Sequence, residues 1–310
     1  MDQIVEKYYC AEIAVIGMAV SEDQEPHGID QIENLVRKYR TQAEGMDDIE
    51  ADVCLTDFRT LLDEDKKGGY SWPVAIINSN LGRVKPGQLG HIFARPNVGK
   101  SSMAINLGVK TAVELVKAGK EGNILFLNNE EDIGRMRLRA LSCMTKKTHK
   151  QIDETYDKCL ETWDKYGGDQ IKFIGNMVHI SEIEKHIRNF KPIMTFIDQG
   201  PKVRIYDQDL SEVQRLQHLY NQYRELAKIY NTVLITLGQA DSAAENKEIL
   251  TLNNLDGSKV GIPGELDWAL GIGANSERPG ARFFNVAKNK GRMGQGVMNF
   301  DDTVCRYTDL

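Results

Sequence analysis

Gly99, Lys100 and Ser101 close the stretch Gln88-Leu-Gly-His-Ile-Phe-Ala-Arg-Pro-Asn-Val-Gly-Lys-Ser-Ser102. A glycine, a lysine and a hydroxyl in that order form the closing half of G-x-x-x-x-G-K-[ST]. In that loop successive backbone N–H groups wrap a phosphate. The opening glycine of the pattern is Ala94 here, so the literal match fails by one residue. The physics survives, because Ala94, Arg95, Asn97, Val98, Gly99, Lys100, Ser101 and Ser102 each offer an N–H around Pro96, which has none, and they lead into a helix N-terminus, whose dipole favours an anion. Lys100 is expected at the β- and γ-phosphates, and the Ser101 hydroxyl on Mg²⁺. That chemistry is nucleotide binding, with the phosphates carried on Mg²⁺.

Three further residues could act on such a substrate. Asp198 ends the apolar run Ile193–Ile197. Alone it reads as a loop aspartate after a buried strand. With a phosphate loop upstream it reads as the carboxylate that holds Mg²⁺, directly or through water. Glu130 and Glu131 follow the run Asn123–Leu127. Glu130, nearer the strand end, is expected to orient or deprotonate the water that attacks the γ-phosphate. Glu131 could instead open the next helix, where a carboxylate favours the dipole. Gln239 follows Thr232–Leu237 and could report loss of the γ-phosphate, or be a plain loop glutamine. Lys288, Lys290 and Arg292 form a late cationic cluster. It is either a solvated turn or a group that reaches the nucleotide of a neighbouring subunit.

Alternating apolar runs place these residues. The spacing predicts strands at Leu89–Ala94, Asn123–Leu127, Gln170–Ile174, Ile193–Ile197 and Thr232–Leu237. Helices are expected at about 99–118, 131–143, 150–166 and 212–230, with another opened by a Ser181/Glu184 capping box. Trp268–Ile272, Arg282–Ala287 and Val297–Phe300 read as later strands. Strands alternating with helices imply an α/β fold with a mostly parallel sheet covered on both faces. Ligands of such sheets sit at the carboxyl ends of the strands, where Ala94–Ser101, Glu130, Asp198 and Gln239 all fall.

The 310 residues suffice for one large α/β domain and a small accessory region. Residues 1–66 read as an acidic helical region, with a possible linker helix at 47–63, and 67–310 as the catalytic domain. Residues 1–70 carry 17 acidic and 7 basic side chains, a net −10, while the remainder is +4. The first segment should be repelled by nucleic acid, so any such contact falls to the later part. The five cysteines (10, 54, 143, 159 and 305) are scattered, with no C-x-x-C pair. That argues against a disulfide framework or a zinc site and favours a reducing compartment. No apolar run approaches the roughly 20 residues of a membrane span. A cytoplasmic location, in a bacterium or a phage-infected cell, is expected.

The order of these pieces resembles the RecA-like core of hexameric replicative helicases, the DnaB family and its phage relatives. Ala94-Arg95-Pro96-Asn97-Val98-Gly99-Lys100-Ser101 looks like that family's phosphate loop, including alanine where other such loops have glycine. Leu81 to Leu89 resembles its lead-in. Ile124 to Glu130 sits where the family has its catalytic glutamate, Ile197-Asp198 matches its metal-binding aspartate, and Leu237-Gly-Gln239 its sensor glutamine. Gly257-Ser258-Lys259 resembles its DNA-facing loop, with Lys247 the other cation there. Lys288-Asn289-Lys290 occupies the place of its trans-acting cations, with Arg292 two residues on. The resemblance covers about residues 72–307. It implies a ring, usually of six copies, that hydrolyses ATP to translocate on single-stranded DNA and unwind duplex. A primase, polymerase or loader is an implied partner, and a fused primase is not expected. A RecA-type recombinase or another DNA-binding ATPase that does not unwind shares the same motifs. A non-catalytic assembly subunit would not need Lys100, Ser101, Glu130 and Asp198 together.

Overall fold

A computed structural model describes residues 2–22, 57–60, 68–177, 179–205, 210–257 and 261–310, with position 62 and isolated positions between 28 and 39. The chain divides into two units, Met1–Lys66 and Lys67–Leu310.

In the first unit a helix spans Asp2–Ser21, and the rings of Tyr9 and Tyr39 lie 5.7 Å apart. Asp57 accepts the backbone N–H groups of Arg59 and Thr60 at 2.9 and 3.1 Å. It thus caps the helical turn at 58–60 as an N-cap aspartate does. Most of the helix expected at 47–63 lies outside the described residues.

The second unit is built on a nine-stranded sheet. In chain order the strands are β1 (Leu89–Ala94), β2 (Ile124–Asn128), β3 (Ile171–Gly175), β4 (Met194–Ile197), β5 (Val233–Gln239), β6 (Trp268–Gly273), β7 (Ala281–Asn289), β8 (Gln295–Asp301) and β9 (Arg306–Thr308). Their spatial order is β3-β2-β4-β5-β1-β6-β7-β8-β9. Neighbours from β3 through β6 pair in parallel. From β6 to β9 the sheet continues antiparallel. The parallel strands are apolar because helices bury both of their faces.

Side chains of β1 alternate between those faces, as the two-residue period of a strand requires. Ile92 and Ala94 join one core with the helix Lys100–Lys117, while Leu89 and Phe93 join the other with the helix Glu212–Ile229. Gly90 faces Trp268 so closely that a Cβ would lie 2.0 Å from the indole ring. Only glycine lets β1 and β6 pair beneath that ring.

Three local expectations need correction. The helix after β3 opens at Ile180, and its capping box is His179 with Glu182 rather than Ser181 with Glu184. Ile180, Ile183 and Ile187 must all reach the core, which draws the helix start toward the strand. The helix expected over 150–166 is two, His149–Glu154 and Tyr156–Lys165. They break at Thr155, whose hydroxyl bonds back to the Gln151 carbonyl at 2.6 Å, a competition with the helix ladder typical of threonine. The third is a strand, Arg306–Thr308, and a helix, Ala75–Leu81, that the periodicity did not indicate.

Candidate functional site

β1 delivers the phosphate-loop residues to the carboxyl edge of the sheet. Gly99 ends the loop at φ +112°, and a Cβ there would lie 2.4 Å from the Tyr307 hydroxyl. The position therefore demands glycine on both conformational and steric grounds. The Tyr307 hydroxyl donates to the Gly99 carbonyl at 3.1 Å, and the Arg282 Nε to the Val98 carbonyl at 2.6 Å. The loop is thus held from outside through its carbonyls, while the Val98 N–H turns back onto the Arg95 carbonyl at 3.3 Å. The first helical bond runs from the Met103 N–H to the Gly99 carbonyl at 2.9 Å, which leaves the N–H groups of Lys100, Ser101 and Ser102 in the first turn without an intrahelical acceptor, the arrangement that suits an anion.

The resulting cavity holds about 400 Å³ and is lined by Ala94, Arg95, Pro96, Asn97, Gly99, Lys100, Ser101, Ser102, Glu130, Glu131, Arg139, Asp198, Gln239, Phe300 and Asp302. Inside it, Lys100 Nζ lies 3.1 Å from Asp198 Oδ1 and 3.6 Å from Glu130 Oε2. Ser101 Oγ donates to Asp198 Oδ2 at 3.1 Å. Asp198 is 3% exposed. The Gln199 N–H donates to its Oδ1 at 2.8 Å, and its own N–H donates to the Leu127 carbonyl. A buried carboxylate with that many fixed partners is held in one orientation, which a site for charge needs.

The donor set suits Mg²⁺. Ser101 and Asp198 offer hydroxyl and carboxylate oxygens side by side, and Mg²⁺ takes few protein ligands beyond the substrate's phosphates and water. Among the described residues no cluster of three His, Cys, Asp or Glu side chains could hold a metal by itself.

Other singled-out residues fall as follows. Gln239 pairs with Ala94 across β5 and β1 and lines the cavity. Val98 does not line it; its side chain packs against the core. Lys288, Lys290 and Arg292 are absent from the cavity too. Asn289 pairs with Trp268, at the end of β6 where Gly90 also pairs, whereas Ala94 pairs with Ile272. Four residues of strand separate the two ends, roughly 13 Å along the chain direction. Lys288 donates to the Pro263 carbonyl and Lys290 to Asp267 at 2.5 Å, while Arg292 is exposed. Lys247 is exposed in the loop after β5. Ser258 and Lys259 lie outside the described residues.

Arg139, Phe300 and Asp302 line the cavity although the sequence did not single them out. Arg139 was one of three arginines on a helix, and nothing in their spacing distinguishes it. Arg135 and Arg137 are exposed, whereas Arg139 turns inward. Phe300 and Asp302 arrive through the antiparallel β7–β9 extension, whose register no motif encodes.

His91 lies beneath the site, fully buried. Its Nδ1 meets Thr236 Oγ1 at 2.8 Å and the Tyr220 hydroxyl at 3.2 Å. Burial, and secondarily the charge of Lys100, lowers its pKa to about 3, so the ring is neutral.

No protein-family model and no curated protein sequence matches the chain. Solved structures do. The ATPase domain of a phage DnaB-like helicase superposes with a TM-score of 0.68 at 14% identity, covering 90% of this chain and 98% of that one. A DnaB-like replicative helicase, solved with an account of its interactions with primase, gives 0.70 at 14% identity, covering 99% and 78%. The chain has the RecA-like ATPase fold of these helicases.

Proposed function

We propose that this chain is a subunit of an ATP-dependent replicative DNA helicase, a ring motor that moves on single-stranded DNA. The observation that carries the reading is that one cleft gathers Lys100, Ser101, Glu130, Asp198 and Gln239 from the tips of four different strands. Lys100 would offset charge on the β- and γ-phosphates. Ser101 and Asp198 would hold Mg²⁺, which when bound neutralises charge on the phosphate oxygens. Glu130, on the rim of the cleft with its side chain 42% exposed, would accept a proton from the attacking water.

Hydrolysis has a route to the DNA side. Gln239 ends β5, and the next residues form the loop that carries Lys247. Arg95 of the phosphate loop bonds the Ala240 carbonyl at 3.1 Å and pairs with Glu245 at 2.8 Å. Both loops therefore share one cation, Arg95, and a change at the γ-phosphate would be felt by the loop that carries Lys247. Lys288, Lys290 and Arg292 lie too far from this chain's own cleft to serve it, which favours service to a neighbouring copy. A primase, polymerase or loader would be the macromolecular partner.

Strand displacement on forked DNA with ATP and Mg²⁺ tests the reading. Unwinding that is lost in Lys100→Ala is the expected result. A protein that hydrolyses ATP and never unwinds would instead be a recombinase-type or regulatory DNA ATPase. Unchanged ATPase in Lys100→Ala would make the chain a non-catalytic subunit.

A further inference from the structure

The cleft contains adjacent carboxylates, Glu130 and Glu131, and a polyphosphate would repel both. Their loop is fastened unusually well. Asn128, buried at the end of β2, accepts the N–H groups of Glu130 and Glu131 at 3.2 and 3.4 Å through its Oδ1. Its amide nitrogen donates to the Glu131 carbonyl. From the other side, Arg139 Nη1 donates to Glu131 Oε2 at 2.6 Å, and Nη2 donates to Ser102 Oγ at 2.6 Å. Ser102 is 2% exposed and adjoins Ser101 in the first turn of the helix that follows the phosphate loop.

A guanidinium is a planar fork with donors at fixed angles. Bridging two acceptors on different elements, it sets the distance between them. Here one acceptor belongs to the helix that carries Lys100 and Ser101, and the other to the loop that carries Glu130. The bridge also neutralises Glu131, leaving Glu130, which meets Lys100 at 3.6 Å, as the carboxylate of the pair for proton transfer. Arg139 approaches these groups from a third element, the helix Ile133–Thr145.

We infer that Arg139 is a positioning residue for hydrolysis: by tying Glu131 to Ser102, it fixes the Glu130 loop relative to the phosphate loop. The inference rests on the ATPase reading above. Loss of the bridge lets Glu130 drift without removing any group that grips the phosphates. The chemical step should suffer and nucleotide binding should not, since a displacement near 1 Å can cost about 100-fold in rate.

Steady-state ATPase kinetics of the full chain with Mg²⁺ and ATP test this. Arg139→Ala is expected to lower kcat by about 10- to 100-fold with KM within about threefold, and Arg139→Lys to recover part of the loss. Arg139→Ala/Glu131→Ala should be no slower than the worse single variant, because both changes break one bridge. If Arg139→Ala does not fold by circular dichroism, Glu131→Gln weakens the same bridge from its other end at nearly constant volume, and kcat alone should fall. A raised KM at unchanged kcat would make Arg139 a direct phosphate ligand and overturn the inference. So would unchanged kinetics, or strictly additive losses in the double variant. The two readings fail differently. A wild-type chain without ATPase activity defeats both, whereas an active wild type indifferent to residue 139 defeats only this one.

Discussion

Asp198, Lys100 and Ser101 form a charge-assisted knot in which Lys100 and Ser101 each donate to one oxygen of the Asp198 carboxylate. Glu130 reaches that knot only through Lys100, at 3.6 Å, so its work is separable from binding. Glu130→Gln keeps the shape and removes the proton acceptor. It should lower kcat by about 10²- to 10⁴-fold while a fluorescent nucleotide binds with near-normal affinity; a lost binding signal would move Glu130 into the grip itself. Gly99 gives a second residue-scale prediction. Alanine there meets a positive φ and the Tyr307 hydroxyl together. Gly99→Ala should cost about 1–3 kcal/mol in urea unfolding, whereas Gly280→Ala, with nothing within 4 Å of the new Cβ, should be close to neutral. At this scale the sequence singled out Lys100, Ser101, Glu130, Asp198 and Gln239, and the structure brings all five to one cleft. Glycine, lysine and hydroxyl spacing is dictated by phosphate geometry, which no tertiary context changes. Arg139 was not legible, because its two acceptors come from elsewhere in the chain and the helix pattern treats it like Arg135 and Arg137.

Between the two strands that present the phosphate loop and Gln239, His91 of β1 makes a polar contact with Thr236 of β5, and the Tyr220 hydroxyl reaches it from the covering helix. Gly238 leaves room for the imidazole, since a Cβ there would lie 2.5 Å from its Nε2. The folded-state pKa of about 3 lies below the ordinary histidine value of 6.5. The unfolded chain therefore binds a proton below pH 6.5 that the folded chain refuses. His91 is fully compatible with the fold above that pH, and stability falls as pH drops from 6.5 toward 3, by up to about 1.4 kcal/mol per pH unit. In His91→Gln the urea midpoint should depend less steeply on pH between 6.5 and 5; an unchanged slope would mean that other groups set it. The sequence placed β1 and β5 correctly as buried strands from their apolar runs. It could not show that they are neighbours, because β4 and β5 are inserted between β2 and β1 by pairing of backbone groups distant in the chain.

Across the whole chain, every residue of the two hydrophobic cores belongs to 72–307. A fragment of residues 67–310 should therefore unfold in one cooperative transition. Its oligomeric state, compared with the full chain by analytical ultracentrifugation, tests whether 1–66 help to assemble a ring; equally stable hexamers from both would exclude that role. With −10 over residues 1–70 against +4 for the rest, the proposed strand binding would fall to the second unit. Affinity for single-stranded DNA should fall steeply with salt and be indifferent to sequence. Lys247→Ala should weaken it for all sequences and reduce the slope of log affinity on log salt by about one. An unchanged slope would place the strand away from that loop.

What the sequence determined by itself was the alternation of strands and helices, the phosphate loop and the carboxylates and amide at strand tips. Those follow from local rules: side-chain periodicity, the geometry of a loop that must wrap a phosphate, and the placement of polar residues where a buried strand meets water. What only the tertiary structure decided was company. It brought Arg139 to Glu131 and Ser102, closed the cleft with Phe300 and Asp302 from the far antiparallel edge, set His91 beneath Gly238, and put Lys288, Lys290 and Arg292 at the opposite end of the strands. Each of these depends on sheet order and register. Those are set by summed packing over the whole core, and no short stretch of residues encodes them.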